Sequence, residues 1–406
     1  MEKNKPEIRF KGFEEEWFST ILEKCFNERI ERSADGELIS VTIKQGVVKA
    51  LDLDRIDNSS SDKSNYKVVE VGDIAYNSMR MWQGACGYSL YKGICSPAYT
   101  VVTPTDGNDV VFFYYLFKRN DSLHLFRINS QGLTSDTWNL KYPAFSKLAF
   151  AIPKEKEQQK IAKLLTTLDK LIRKLELKLE KLRNIKQSLL RQMFTNVNGR
   201  GYATPMIRFK NYNGEWQMTI LSDITERVVR KNSNLESSLP LTVSAQNGLI
   251  DQGEFFNSRI ASKDVSGYYL IRKGEFAYNK SSSDGYPYGA IKRLDRYEKG
   301  VLSTLYIVFA LNNSMVDSDY IVAFYDTNYW HEEVVKRAAE GARNHGLLNI
   351  SAEDFFDTSI TLPIDKNEQY EVGHYFILLD KIITDNREKL SKIRTMKQSL
   401  LQKMFA

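Results

Sequence analysis

Four histidines, three cysteines and 51 acidic residues are the raw material for catalysis or metal binding in this 406-residue chain. His124, His331, His345 and His374 are scattered, and none has a second histidine four residues away to share a zinc ion on a helix face. Cys25, Cys86 and Cys95 lack zinc-site spacing and are too few for a disulfide framework, so a reducing compartment suits them. The Gly-x-x-x-x-Gly-Lys-Ser/Thr loop that cradles phosphate is missing, as is a Gly-x-Gly-x-x-Gly after a strand. So is any Asn-Pro-Pro-Tyr-like tetrapeptide, expected of an enzyme that methylates a base amine. Gly84-Ala-Cys-Gly87 is a short turn and nothing stronger. No pair of carboxylates is marked out as acid and base. The expectation is a chain with no catalytic residues, no metal site and no cofactor of its own.

Composition is that of an ordinary soluble protein, 42% hydrophobic and 27% charged with mean hydropathy −0.41, which excludes a collagenous or wholly disordered chain. The longest apolar run, Val110 to Phe117, is too short to span a bilayer, and no apolar stretch follows Met1-Glu-Lys-Asn-Lys. No membrane association and a cytoplasmic location are therefore expected. The length suits two to four folding units.

The elements that could position a site come in two sets. Ile8-Arg-Phe-Lys-Gly-Phe-Glu-Glu-Glu-Trp17 recurs as Ile207-Arg-Phe-Lys-Asn-Tyr-Asn-Gly-Glu-Trp216. Gly72-Asp-Ile-Ala-Tyr-Asn77 recurs as Gly274-Glu-Phe-Ala-Tyr-Asn279, and Lys186-Gln-Ser-Leu-Leu190 as Lys397-Gln-Ser-Leu-Leu401. Three blocks in the same order point to duplication followed by divergence. Each half opens with short β-branched and aromatic runs broken by Gly, Ser and Asn, which read as strands, turns and a few short helices. Each half ends in a long helical segment, with Pro153 or Pro363 just ahead of it. The segments are 1–152 and 207–362 for the two heads, 153–196 and 363–406 for the long helices, and 197–206 for a linker.

Leucines and their substitutes recur every seven residues in both helical segments. The first carries Ile161, Leu168, Leu175, Leu182 and Leu189, with Leu164, Leu171 and Ile185 as companions and Lys178 interrupting. The second carries Val372, Leu379, Asn386, Ile393 and Leu400, with Tyr375, Ile382 and Met396 as companions. These heptads predict a coiled coil between the two helices, with Asn386 a polar point in the seam. The fold class is therefore α+β, with a pseudo-two-fold internal repeat. Charge is uneven: residues 154–194 hold twelve Lys/Arg against five Asp/Glu, whereas the heads are slightly acidic. The excess can mean phosphate contact along the helix or simply a solvated coiled-coil face.

Taken in order, these features resemble the DNA-specificity subunit of type I restriction-modification systems. The matching residues are the Ile-Arg-Phe…Glu-Trp openings, the two Ala-Tyr-Asn blocks, and Ser96-Pro-Ala-Tyr99 with Ser303-Thr-Leu-Tyr306. Pro153…Glu157-Gln158, Pro363…Glu368-Gln369 and the Lys-Gln-Ser-Leu-Leu…Met-Phe endings complete them. Tyr370, Gly373 and His374 depart from the Gln159, Ala162 and Lys163 of the first helix. The resemblance implies two α/β target-recognition domains joined by two antiparallel helices. Each domain would read one half of a split, asymmetric double-stranded DNA site. The helices would set the gap and dock two methyltransferase subunits. S-adenosylmethionine would be bound there, and ATP and Mg on a motor-nuclease subunit if one is present. The alternative is a non-catalytic coiled-coil scaffold with two protein-binding heads.

If the heads read DNA, their readers should be Arg, Lys, Asn, Gln and Ser/Thr on rigidly held loops. In the first head these are Lys44 and Gln45; Asn77, Ser78, Arg80 and Trp82; and Gln131 with Thr134. In the second they are Ser244, Gln246 and Asn247; Asn279, Lys280 and Ser281; and Arg343 with His345. Arg80 and Arg343 stand foremost for bases, and Lys280 for a phosphate. The shared Tyr-Asn is followed by Ser-Met-Arg-Met-Trp in one head and Lys-Ser-Ser-Ser-Asp in the other. Tyr76, Tyr278, Trp17 and Trp216 are expected in the cores.

Overall fold

The computed structural model describes residues 5–54, 59–195, 202–258, 261–283, 285–338 and 348–406. The chain forms two compact units, one of residues 1–176 with 388–406, the other of residues 177–387. Compactness thus divides the protein along a different line from composition, because each boundary falls inside a long helix. Those helices are Glu155–Met193 and Lys366–Lys403.

Among the described residues unit 1 holds two four-stranded sheets and a two-stranded one. The first is antiparallel, in the order Phe26–Glu28, Tyr99–Pro104, Ile74–Asn77, Cys86–Tyr88. The second runs Gly46–Lys49, Leu38–Thr42, Gly93–Cys95, Lys67–Val69, with one parallel pairing, Leu38 opposite Ile94. Phe18–Ile21 pairs with Ala149–Ile152, closing the head at the entry to the long helix. Two helices, Val110–Phe117 and Asn120–Ile128, pack on the sheets. The apolar run that is too short for a membrane is the first of them, and four of its phenylalanine and leucine side chains are buried.

Unit 2 repeats the plan. Thr225–Arg227, Ile307–Leu311, Phe276–Asn279 and Ala290–Arg293 form the first sheet in the same antiparallel order. The second sheet divides into two pairs, Leu241–Ser244 with Gly248–Asp251 and Tyr269–Arg272 with Lys299–Leu302, linked by a parallel bridge from Pro240 to Val301. Ser318–Tyr325 and Tyr329–Arg337 are the packing helices.

One set of bonds ties each head to its long helices, and it is written twice. Arg9 grips buried Glu157 through two bonds of 2.7 Å, and Arg208 grips buried Glu368 at 2.6 and 2.7 Å. Gln158 and Gln369 are buried one residue later. Each amide donates to the proline carbonyl ahead of its helix, Pro153 or Pro363. Each amide oxygen accepts from the backbone of the aspartate that caps the packing helix, Asp109 or Asp317. The Ile8 N–H donates to Lys403 O in unit 1, and the Ile207 N–H to Gln192 O in unit 2, both at 2.9 Å. Phe405 lies against Trp17 and Phe112, just as Phe194 lies against Trp216 and Tyr320.

Within each unit the two helix segments run antiparallel. In unit 1 Asp169 pairs with Lys397 and Glu176 with Arg394, so one number rises as the other falls. In unit 2 Lys186 pairs with Asp380, while Phe194 lies against Phe376. Of the predicted seam, Leu168, Leu175, Leu379 and Ile393 are buried, and Leu182 and Asn386 are half-buried. The companion positions need correction by one residue. Leu165 and Leu179 are buried in the first helix, and Phe376, Ile383 and Leu390 in the second. Ile185, Tyr375, Ile382 and Met396 face outward. The spacing is four-then-three rather than three-then-four, and Lys178 interrupts nothing because Leu179 holds that place. Asn386 gives its amide to Ile382 O of its own helix, at 2.7 Å.

Candidate nucleic-acid interface

Three of the predicted loops of unit 1 come together. Lys44 and Gln45 are exposed on the hairpin turn between Leu38–Thr42 and Gly46–Lys49, where the Gln45 N–H donates to Thr42 Oγ1 at 2.9 Å. Asn77, at the end of its strand, accepts the Met79 N–H on its side-chain oxygen at 3.1 Å, which turns the chain back on itself. Arg80 is half-buried on that turn, and Trp82 sits half-buried on the short helix Met81–Gln83. The third loop meets the second through an edge-to-face pair, Trp82 and Trp138, with centroids 5.1 Å apart. The Leu140 N–H also donates to Ser78 O at 2.9 Å. Gln131 and Thr134 are exposed on this third loop.

The residue that joins the first two loops was not foreseen. Lys118 ends the helix Val110–Phe117 and donates its ammonium to Ile43 O at 3.1 Å and to Gly84 O. Helices favour cations at their C-terminal end, which suits this lysine to its place. The sequence offers only Lys118-Arg119 after an apolar run, with nothing to indicate the lysine's target.

Unit 2 reproduces the frame with other contents. Gln246 and Asn247 are exposed on the hairpin turn between Leu241–Ser244 and Gly248–Asp251. The Asn279 side-chain oxygen accepts the Ser281 N–H at 3.0 Å, the same turn that Asn77 makes, and Ser281 is half-buried. The Leu348 N–H donates to Lys280 O at 3.0 Å, matching Leu140 and Ser78. Arg343 and His345 lie outside the described residues.

Three of the predicted readers make bonds within their own unit. Ser78 is buried, its hydroxyl 2.8 Å from that of Thr100. Ser244 is buried and accepts the Asn247 N–H. Lys280 is half-buried and gives its ammonium to Ile350 O at 3.1 Å. A polar residue type next to a turn does not distinguish a group that holds the loop from one the loop presents. Lys44, Gln45, Gln131, Thr134, Gln246 and Asn247 remain presented to solvent.

A half-buried charge network joins the first packing helix of unit 2 to the long helices. Asp326 caps the end of Ser318–Tyr325 and receives both Lys186 and Lys292 at 2.7 Å, while Lys186 also binds Asp380 at 2.6 Å. Burial alone would raise the Asp326 carboxyl, but the two ammonium groups outweigh it and hold it at about 2. In unit 1 the Tyr115 hydroxyl, pushed up mainly by burial, donates to Asp169 at 2.6 Å. Among the described residues no group of His, Cys, Asp and Glu is placed to hold a metal ion. Among them, too, no helix is long and apolar enough to cross a membrane.

Residues 24–184 match the type I restriction modification DNA specificity domain. A solved structure similar to the chain is the S subunit of a type I restriction-modification system from M. genitalium. It is 14% identical over 99% of both chains, with a TM-score of 0.61. The HsdS subunit from Thermoanaerobacter tengcongensis is 13% identical over 96% of both, with a TM-score of 0.46. Residues 24–184 are thus similar to a type I restriction-modification DNA specificity domain, and the chain as a whole shares the mixed α/β fold of a solved structure to which it is 14% identical.

Proposed function

We propose that this chain is the sequence-reading subunit of a type I restriction-modification complex, unit 1 binding one half of a split, asymmetric DNA site and unit 2 the other. One observation carries the reading. Bonds that hold the reader loops recur between the heads, Asn77 with Asn279 and Leu140–Ser78 with Leu348–Lys280, while the exposed side chains on those loops differ. A constant mount with changed contacts is what two readers of different sequences require. The long helices, paired as a coiled coil, set the unread gap and carry two methyltransferase subunits. Those subunits bring S-adenosylmethionine and adenine methylation, and a motor-nuclease subunit brings ATP and Mg. This chain supplies recognition and no catalysis.

Mapping methylated adenines in cells that carry the complex tests this directly. The expected result is a two-part motif with a fixed gap, and a changed gap when one heptad is removed from each long helix. An undivided motif sinks the two-reader scheme. An active heptad-deleted assembly with an unaltered gap sinks the spacer role.

A further inference from the structure

The loop from Gln131 to Trp138 in unit 1 is closed and braced. Gln131 and Asn139 exchange two backbone hydrogen bonds, of 3.0 and 2.8 Å. The Thr137 hydroxyl accepts from the Thr134 N–H and donates to Thr134 O, and the Trp138 N–H donates to the same carbonyl. Gly132 has φ 146°, and a Cβ there would lie 2.6 Å from Thr137 O, so only glycine closes the loop this tightly. Trp138 then locks the loop against Trp82.

On this fixed mount Leu133 is fully exposed, at 101%. Between Gln131 and Trp138 there is no Lys or Arg, and Asp136 is present. The tip therefore offers no cation to a phosphate, unlike the neighbouring loops with Lys44 and Arg80. In the major groove an apolar side chain has one favourable partner, the 5-methyl group of thymine, and a glutamine suits the N6 and N7 edge of adenine.

We propose that this loop reads an A·T-containing step, Leu133 resting on a thymine methyl while Gln131 addresses an adenine. The proposal rests on the reading that unit 1 binds a half-site, and it adds a specificity residue that a search for polar readers passes over.

The test uses the full chain assembled with its methyltransferase subunits and a duplex carrying the mapped target. Each thymine of both half-sites is replaced in turn by deoxyuridine, which lacks only the methyl. A single replacement, in one half-site, is expected to weaken binding about fourfold, the worth of one buried methyl group. In Leu133→Ala that same replacement has no effect, while the salt dependence of binding stays as in the parent chain. If Leu133→Ala keeps the full response at every thymine, or if the target contains no A·T pair, the proposal is overturned with the two-reader scheme intact. An assembly that binds all sequences alike overturns both.

Discussion

The two units share their attachment to the long helices and differ in what the end of the first packing helix grips. In unit 1 that position is Lys118, which reaches toward the loops and ties Ile43 to Gly84. In unit 2 it is Asp326, which reaches back to Lys186 of the long helix and to Lys292. The Asp169–Lys397 pair of unit 1 has its counterpart in Asp380–Lys186 of unit 2. Only the third partner changes, from the Tyr115 hydroxyl to the Asp326 carboxylate. Both units keep the contacts that hold head to helix, and among the described residues the helix end braces the loops in unit 1 alone.

The attachment itself offers the largest test. Glu157→Ala or Glu368→Ala leaves a guanidinium largely buried without its counter-charge, a loss of about 3–5 kcal/mol from the unit concerned. Glu368 should cost more, because Trp216 Nε1 also donates to it at 3.3 Å, whereas Trp17 Nε1 has no hydrogen-bond partner among the described residues. Urea unfolding of the full-length variants checks the order, and equal losses would mean that the tryptophan bond adds nothing.

Acid separates the copies next. The Asp326 carboxyl is held at about 2, below its ordinary value near 4, so its stabilisation is complete above about pH 4 and is lost as the pH falls toward 2. The size is about 2 kcal/mol, and it belongs to unit 2, since unit 1 has Lys118 at that place. Asp326→Asn should remove this component of the acid response. Unfolding curves of the parent and the variant that stay parallel from pH 5 to pH 2 would rule it out.

The last comparison concerns Gly373, which stands where the first helix has Ala162. A Cβ at Gly373 would lie 2.2 Å from the backbone nitrogen of Tyr320, so the packing helix of unit 2 sits closer than an alanine allows. Gly373→Ala should destabilise unit 2 by about 1–3 kcal/mol through overpacking. Ala162→Gly should cost unit 1 about 1 kcal/mol through helix propensity alone. Tm measurements on the two variants decide whether the close approach is peculiar to unit 2.

The repeat, the long helices and the first seam register were legible because periodic apolar residues must be covered by something. The companion register was misjudged for a physical reason. Leu164 and Leu165, Leu171 and Ile172, and Ile382 and Ile383 are adjacent apolar pairs, so either spacing fits them. Lys178 beside Leu179 and Lys389 beside Leu390 favour the observed spacing, whereas Ile185 beside Lys186 and Met396 beside Lys397 favour the other. Glu157, Gln158, Glu368 and Gln369 carried the family resemblance, but their burial was not visible, since charged and amide side chains usually face water. The loops were found by residue type and only partly sorted by it. Ser78, Ser244 and Lys280 make bonds within their loops that residue type alone does not reveal.

The division of the chain also fixes an order of assembly. Unit 2 is continuous, residues 177–387, and all its parts are available once that stretch has left the ribosome. Unit 1 needs Met404 and Phe405, both buried, and the Lys403 carbonyl that receives Ile8. The half that is synthesised first is therefore completed last, with Trp17 lacking its Phe405 neighbour until the second long helix is finished. A chain cut short before residue 388 would keep every part of unit 2 and leave unit 1 open.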